Sequence, residues 1–258
     1  MSDTLSLIHQ RRSVRSFQDK SIDEKIKADI IDAAMRSPTA GNMMLYSVLE
    51  VADQSVKEQL VKSCDNQPFI GKAPLVLLFL ADYQRWFDYF QICDVEGLCR
   101  AESKHMRKPS QGDLMLACCD ALIAAQTAVV AAESLGVGSC YIGDIMENYE
   151  FHKKLFKLPT YTFPITMLCL GYPTKSATER KLTSRFSKEN ILHENVYNRL
   201  DKSDLLNMFE MSKPKSYLGN AQNTGQHYYL KKFGADFSIE MNRSVKQAVK
   251  SWTEGEDS

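Results

Sequence analysis

Arg11, Arg12 and Arg15 stand within five residues of one another, with Ser13 between them. Three guanidiniums and a hydroxyl in so short a run can make several charge-assisted hydrogen bonds to one phosphate. In an extended or irregular segment alternate side chains share a face, so Arg11, Ser13 and Arg15 can converge on one ligand. A solvated basic turn has the same composition, and the run alone leaves both readings open.

A second cluster is Ser37-Pro38-Thr39-Ala40-Gly41-Asn42. Its small side chains suit a loop passing close to a flat ligand, with backbone N–H groups and the Asn42 amide as donors and acceptors. An ordinary helix-to-strand turn is built from the same residues. A third is Gly136-Val137-Gly138-Ser139-Cys140-Tyr141-Ile142-Gly143-Asp144, which contains GxG. The pattern closes a helix and opens a strand, the reverse of the strand–glycine–helix order of a dinucleotide fingerprint, so a Rossmann site is excluded. Tyr141-Ile142-Gly143 reads instead as a strand end whose glycine lets backbone approach a ligand.

The remaining candidates are weaker. Cys93, Cys99 and His105 lie near Asp94, Glu96 and Glu102, but their spacing matches no zinc pattern, and no metal site is expected. Trp86, Phe87, Tyr89 and Phe90 form either a substrate-pocket wall or a structural cluster. His9, His152, His193 and His227 are scattered; all read as surface or structural except His9, which lies close to the basic run. Cys118-Cys119 reads as packing within a helix rather than redox chemistry.

These residues need a scaffold, and 258 residues are enough to bury a real core. With 44% apolar and 25% charged residues the composition is that of an ordinary globular chain. Lys+Arg and Asp+Glu are both 32, so no global field recruits nucleic acid or an anionic membrane, and anion affinity must be local. Seven cysteines without a CxxC pair, and no signal-peptide pattern at the start, point to free thiols in the cytoplasm. The apolar stretch 114–132 is interrupted by Asp120 and Gln126, and reads as a buried helix rather than a membrane span.

Along the chain, helices are expected over 3–10, from a Ser21–Glu24 capping box through Ala34, and over 55–64, 113–135 and 147–156. Strands are expected over 44–52, 75–81, 138–142 and 164–171. The unbroken apolar run 75–81 marks a central strand buried on both faces. Residues 83–112 read as an inserted loop or short-helix segment, 172–190 as aperiodic, the tail from 202 as mostly helical, and 254–258 as a frayed end. Strands and helices do not alternate regularly, which favours an α+β fold over a doubly wound sheet.

The order and spacing of these blocks resemble the nitroreductase superfamily, and its NADPH-type flavin-reductase branch in particular. The resemblance rests on Arg11-Arg12-Ser13-Val14-Arg15, Ser37 to Asn42, Asn66-Gln67-Pro68 and Ala131-Ala132-Glu133-Ser134-Leu135-Gly136-Val137-Gly138. Further along it rests on Tyr141-Ile142-Gly143, Leu168-Cys169-Leu170-Gly171-Tyr172-Pro173 and His193-Glu194-Asn195. It implies a nitroreductase-like fold, a mainly antiparallel sheet flanked by helices, in an intertwined homodimer with FMN sites built from both chains. An FMN-binding domain would span 1–200 with the insertion 83–112, and 201–258 would be a helical extension packing on the dimer.

By the same resemblance Arg11, Ser13 and Arg15, with Arg12 adjacent, would hold the FMN phosphate and ribityl chain. Thr39, Ala40, Gly41, Asn42 and Gln67 would contact the flavin or its ribityl hydroxyls. Tyr141, Ile142 and Gly143 would lie against the isoalloxazine ring, with a backbone N–H near Gly143 facing N5. The implied activity is reduction of nitroaromatics, quinones or flavins by NAD(P)H in a ping-pong cycle, the flavin carrying the hydride chemistry in place of an acid–base dyad. The alternatives are a dehalogenase- or azoline-oxidase-type flavin enzyme, or a non-catalytic FMN- or nucleotide-binding regulator. Two departures stand out. Met44 occupies a position where the family often has Gln, and the branch's Lys-Pro-Arg-Leu-Pro after the last core strand is absent. Among Arg180, Lys181 and Arg185, the last is best placed to complete the phosphate site, and Lys231, Lys232 and Arg243 are candidates for an NADPH phosphate by charge alone.

Overall fold

The computed structural model describes residues 3–210 and 212–255. Residues 256–258, part of the expected frayed end, lie outside the described residues. Four strands, β1 (Tyr46–Glu50), β2 (Leu75–Asp82), β3 (Gly138–Ile142) and β4 (Thr162–Gly171), form one antiparallel sheet in the order β1-β2-β4-β3. The α+β expectation holds, with every strand pairing antiparallel.

The apolar run in β2 is buried at all eight positions, because alternate residues feed two cores. Leu75, Leu77 and Phe79 join Leu168 and Leu170 of β4 on one face; Val76, Leu78 and Leu80 join Met167 and Cys169 on the other. The first face is covered by α2 (Glu24–Met35) and by the 24-residue α7 (Gln111–Ser134). Ala121, Ala124, Ala125, Ala128 and Ala132 of α7 are fully buried there. Methyl-sized side chains let this helix lie close on the sheet. It is long and apolar enough to cross a membrane, yet it is a core helix packed on the strands. The second face is covered by α3 (Gln54–Ser63) and α4 (Phe69–Lys72) through Leu60, Cys64 and Ile70.

The other elements largely follow the sequence. Helix α1 spans Asp3–Gln10, and α8 spans Tyr149–Phe156. The Ser21–Glu24 capping box does not form. Asp23 caps α2 instead, its carboxylate accepting from the Lys25 N–H at 2.8 Å, and Glu24 is already helical and paired with Lys27. The 83–112 segment holds two short helices, α5 (Gln84–Ile92) and α6 (Val95–Ala101). A one-turn α9 (Lys175–Thr178) follows β4.

The chain divides into two compact units. The first comprises 1–180 and 240–258, and the second 181–239. The second holds α10 (Lys202–Glu210) and α11 (Thr224–Tyr228), with Phe186 packed edge-on against Phe209 at 5.3 Å. Helix α12 (Asp236–Glu254) returns the chain to the first unit, where Trp252 is 1% exposed and meets Tyr161 at 5.7 Å.

Candidate functional site

The basic run is laid along the sheet edge. Ser13 bridges Ser139 in parallel register, and the Val14 N–H donates to the Ser139 carbonyl at 2.8 Å. Phe17 bridges Pro173 beyond the end of β4, so residues 13–17 span β3 and its neighbour. Two glycines make this docking possible. A Cβ on Gly138 would lie 2.6 Å from a Val14 methyl, and one on Gly171 would lie 2.8 Å from the Phe17 ring.

The three arginines then have different fates. Arg12 donates to the carbonyls of Thr178 and, at 2.7 Å, Arg180, and so anchors the chain beyond α9. Arg15 is exposed, its guanidinium 5.9 Å from the Phe69 ring. Arg11 is half-buried, and its Nη1 is enclosed with no hydrogen-bond partner among the described residues. A buried charged donor left unmatched is costly, so this nitrogen fits an anionic acceptor such as a phosphate. Burial pushes the Cys140 thiol up while Arg15, Arg11 and Ser13 pull it down, which places all three members of the alternating set around one strand residue.

The 37–45 loop is shaped from beneath by α7. Asp120, 2% exposed, accepts the Ala40 N–H on Oδ1 at 3.0 Å and the Leu45 N–H on Oδ2 at 3.1 Å. Between these clamps Gly41, Asn42 and Met44 take left-handed φ values of 56°, 58° and 51°. The Met44 N–H donates to Thr39 Oγ1 at 3.2 Å, and the Trp86 indole N–H donates to the Met43 carbonyl at 2.7 Å. Gly41 and Asn42 are thereby left exposed at the tip.

The same helix holds the other pieces. Ser37 Oγ donates to Thr127 at 2.8 Å, the Tyr141 hydroxyl donates to Gln126 at 3.2 Å, and Ser139 Oγ donates to Glu133 at 3.1 Å. Asp120 and Thr127 are seven residues apart, as are Gln126 and Glu133, so each pair shares a side of the helix. These four positioning residues escaped the sequence reading, which took Asp120 and Gln126 as interruptions of an apolar stretch. The seven-residue spacing of polar groups in an alanine-rich helix was the available signal.

Gln67 donates to the Asp144 carboxylate at 2.8 Å and to the Cys64 carbonyl at 3.0 Å, which ties it to the turn after Gly143. Gly143 is exposed, Ile142 is buried and Tyr141 is half-buried, its hydroxyl pushed up to about 12 by burial against the pull of Arg11. Arg11, Ser13, Arg15, Gln67 and Tyr141 to Gly143 therefore sit on one connected framework, with Thr39 to Asn42 held to it through α7. Arg185 is in the second unit, exposed, and its guanidinium bonds locally to Thr183 and Ser184. Arg243 is engaged by the Glu150 carboxylate at 2.8 and 2.9 Å and by Glu240. Of the adjacent cysteines, Cys118 is half-buried and pushed up to about 12 by burial, while Cys119 faces outward.

Below Gly143 lies an acidic turn. Glu147 is 5% exposed and its Oε1 has no partner among the described residues. Burial, then the charges of Asp144, Asp65 and Glu240, push its carboxyl up from an ordinary 4.5 to about 7. A carboxyl raised in the folded state stabilises fully below its unfolded pKa, and that contribution is lost as pH rises through the folded value. The loss between pH 4.5 and 7 is of order 3 kcal/mol at most. Glu147→Gln is therefore expected to raise stability by about 2–3 kcal/mol at pH 8 and by little at pH 4.5. Thermal unfolding at the two pH values reads this, and an equal shift at both would refute it. His152 nearby is fully buried, kept neutral by that burial, and bonded to Ser63 at 2.8 Å, which makes it structural.

The model of the nitroreductase family matches residues 8–172. The chain is 33% identical over 224 residues to the oxygen-insensitive NADPH nitroreductase of Salmonella typhimurium, covering 87% of this chain and 86% of that one. It is 28% identical over 200 residues to an FMN reductase (NADPH) of Bacillus subtilis, covering 77% and 76%. In fold it is similar to nitroreductase A from Vibrio parahaemolyticus, with a TM-score of 0.76 over 96% of this chain and 98% of that one at 24% identity.

Proposed function

The chain belongs to the nitroreductase family and is an NAD(P)H-dependent oxidoreductase of it, and we propose that its resident cofactor is FMN, held on the framework above. The observation that carries this reading is the enclosed, unmatched Nη1 of Arg11 beside Ser13 on the β3 edge. Arg11, Ser13 and Arg15 would hold the phosphate and the adjoining hydroxyls. Thr39, Ala40, Gly41 and Asn42 would offer backbone and amide contacts, and Gln67 would present its carbonyl, its amide nitrogen being occupied by Asp144 and Cys64. Backbone at Tyr141, Ile142 and Gly143 would approach the ring, and donors there favour the extra negative charge of a reduced state.

FMN, when bound, supplies two-electron hydride chemistry, which is why no acid–base dyad is required of the protein. The chain's own residues would bind and orient, and NAD(P)H and an electrophilic acceptor, a nitroaromatic, quinone or flavin, would take turns at the bound flavin. Arg12, whose Nη1 donates to the Thr178 and Arg180 carbonyls, would stand adjacent to the phosphate and hold the chain there.

Purified protein is expected to carry a flavin spectrum that bleaches anaerobically with NADPH or NADH. A colourless protein that FMN cannot reconstitute would sink the reading. Arg15→Ala is expected to weaken FMN binding roughly 10- to 150-fold, the loss of one charge-assisted bond of about 1.5–3 kcal/mol. Unchanged affinity in a fluorescence titration would remove Arg15 from the site.

A homodimer also fits. Met115, Leu116, Leu122 and Ile123 of α7 are 66%, 45%, 42% and 41% exposed, an apolar row on the face opposite the sheet. A second copy of this helix is its natural cover, and sedimentation at micromolar concentration distinguishes dimer from monomer.

A further inference from the structure

The inserted segment between β2 and α7 forms a half-open pocket as well as adding helices. Tyr83, 8% exposed, lies at one end, and Phe87 and Phe90 of α5 face Val95 and Cys99 of α6 across a cavity of about 280 Å³. Met106 and Pro109, on the stretch leading into α7, close another side. An apolar cavity of about 150 Å³ already admits a benzene ring. The space here suits a single ring with a small substituent.

The polar groups at the walls define what that ring can carry. Arg107 also lines the cavity, but its guanidinium is held by both oxygens of Asp113, at 2.6 and 2.9 Å, so it offers no unmatched charge. The Cys99 thiol and the His105 ring line the cavity too, and neither side chain hydrogen-bonds to any described residue. Paired charge and weak, unengaged polar groups favour an uncharged guest with one polar substituent over an anion. Trp86, on the same helix, packs against Phe90 with ring centroids 5.7 Å apart and planes tilted by 43°, while donating to the Met43 carbonyl, so this helix belongs both to the cavity and to the 37–45 loop.

We propose that this cavity is a binding site for neutral monocyclic aromatic molecules of about the size of nitrobenzene, separate from the cofactor framework. The site is formed within one chain by α5, α6 and the stretch before α7. Its guest lies between Phe87 and Phe90 on one side and Val95 and Cys99 on the other. The thiol of Cys99 is therefore covered when the site is filled. Cys93, exposed and outside the lining, is not.

The test uses the protein as purified, in the absence of NAD(P)H, and reads alkylation rather than turnover. Its outcome is thus independent of whether the flavin reading holds. Iodoacetamide labelling of Cys99 and Cys93 is followed by peptide mass spectrometry across a nitrobenzene series. Cys99 labelling is expected to slow at least five-fold and saturably, with half-protection near 1 mM, on the order expected of so small a ligand. Cys93 is expected to keep its rate, and benzoate, similar in size but anionic, to protect neither. Absence of Cys99 protection up to the solubility limit would overturn the site. Equal slowing of both cysteines would do the same, and protection by benzoate equal to that by nitrobenzene would overturn its selectivity for neutral guests.

Discussion

Asp120→Ala is expected to cost roughly 3–5 kcal/mol of stability and to weaken FMN binding by at least an order of magnitude. The carboxylate is 2% exposed and each oxygen accepts one backbone N–H, from Ala40 and Leu45. Hydrogen bonds to a charged partner are worth about 1.5–3 kcal/mol each, and removing the acceptor strands two donors against a core that cannot solvate them. The three left-handed residues between the clamps then lose what holds them in a sparsely populated conformation. Asp120→Asn is the sharper variant. Its carbonyl can accept one of the two bonds, but its NH2 meets the other N–H donor to donor, so a loss of about half is expected. Urea denaturation of the flavin-free protein and a flavin titration separate the two effects. A loss below about 1 kcal/mol for the alanine variant would mean that the loop holds its shape without the clamp.

Gly138→Ala is expected to cost about 1–3 kcal/mol and to reduce cofactor affinity further than that loss alone explains. The new methyl would meet a Val14 methyl at 2.6 Å, and relief requires the 13–15 segment to lift from β3. Ser13 and the Val14 N–H are joined to Ser139 next door, so the displaced residues are those flanking Arg11 and Arg15. Val14→Ala in the same chain reopens the space. The double variant should recover most of the affinity, with a coupling of roughly 1–2 kcal/mol across the cycle. Additive losses would show that Val14 and Gly138 do not share the contact.

Much of this was legible in the sequence because it depends on local chemistry. The run from Leu75 to Ala81 declared a strand buried on both sides, and it is the strand that feeds both cores. The reversed order around Gly136 and Gly138 excluded a Rossmann turn, and Gly138 serves instead as the seat for Val14. What could not be read depends on partners distant in the chain. Asp23 outcompeted Ser21 as a helix cap because its carboxylate reaches the Lys25 N–H. Arg12 is indistinguishable from Arg11 by composition, and only the arrival of the chain at Thr178 and Arg180 separates their hydrogen bonding. Asp120 looked like a flaw in an apolar helix because its donors lie 80 and 75 residues away. The short helices in 83–112 run for only nine and seven residues, too few turns for a period to stand out, even though Trp86, Phe87 and Phe90 of α5 pack against the core.

The strand order carries a consequence for how the protein comes into being. β4 is the last strand made, yet it lies between β2 and β3. A nascent chain that has emerged only as far as Ile142 can pair β1 with β2, but β3 has no neighbour to join. The Ser13–Ser139 and Phe17–Pro173 bridges, which seat the basic run, wait on the same event. Ordering of the first twenty residues is thus deferred until about residue 175 has been synthesised, and loop closure over such separations is slow. Ribosome-stalled chains shorter than this should leave the N-terminal segment open to proteolysis, and slightly longer ones should protect it.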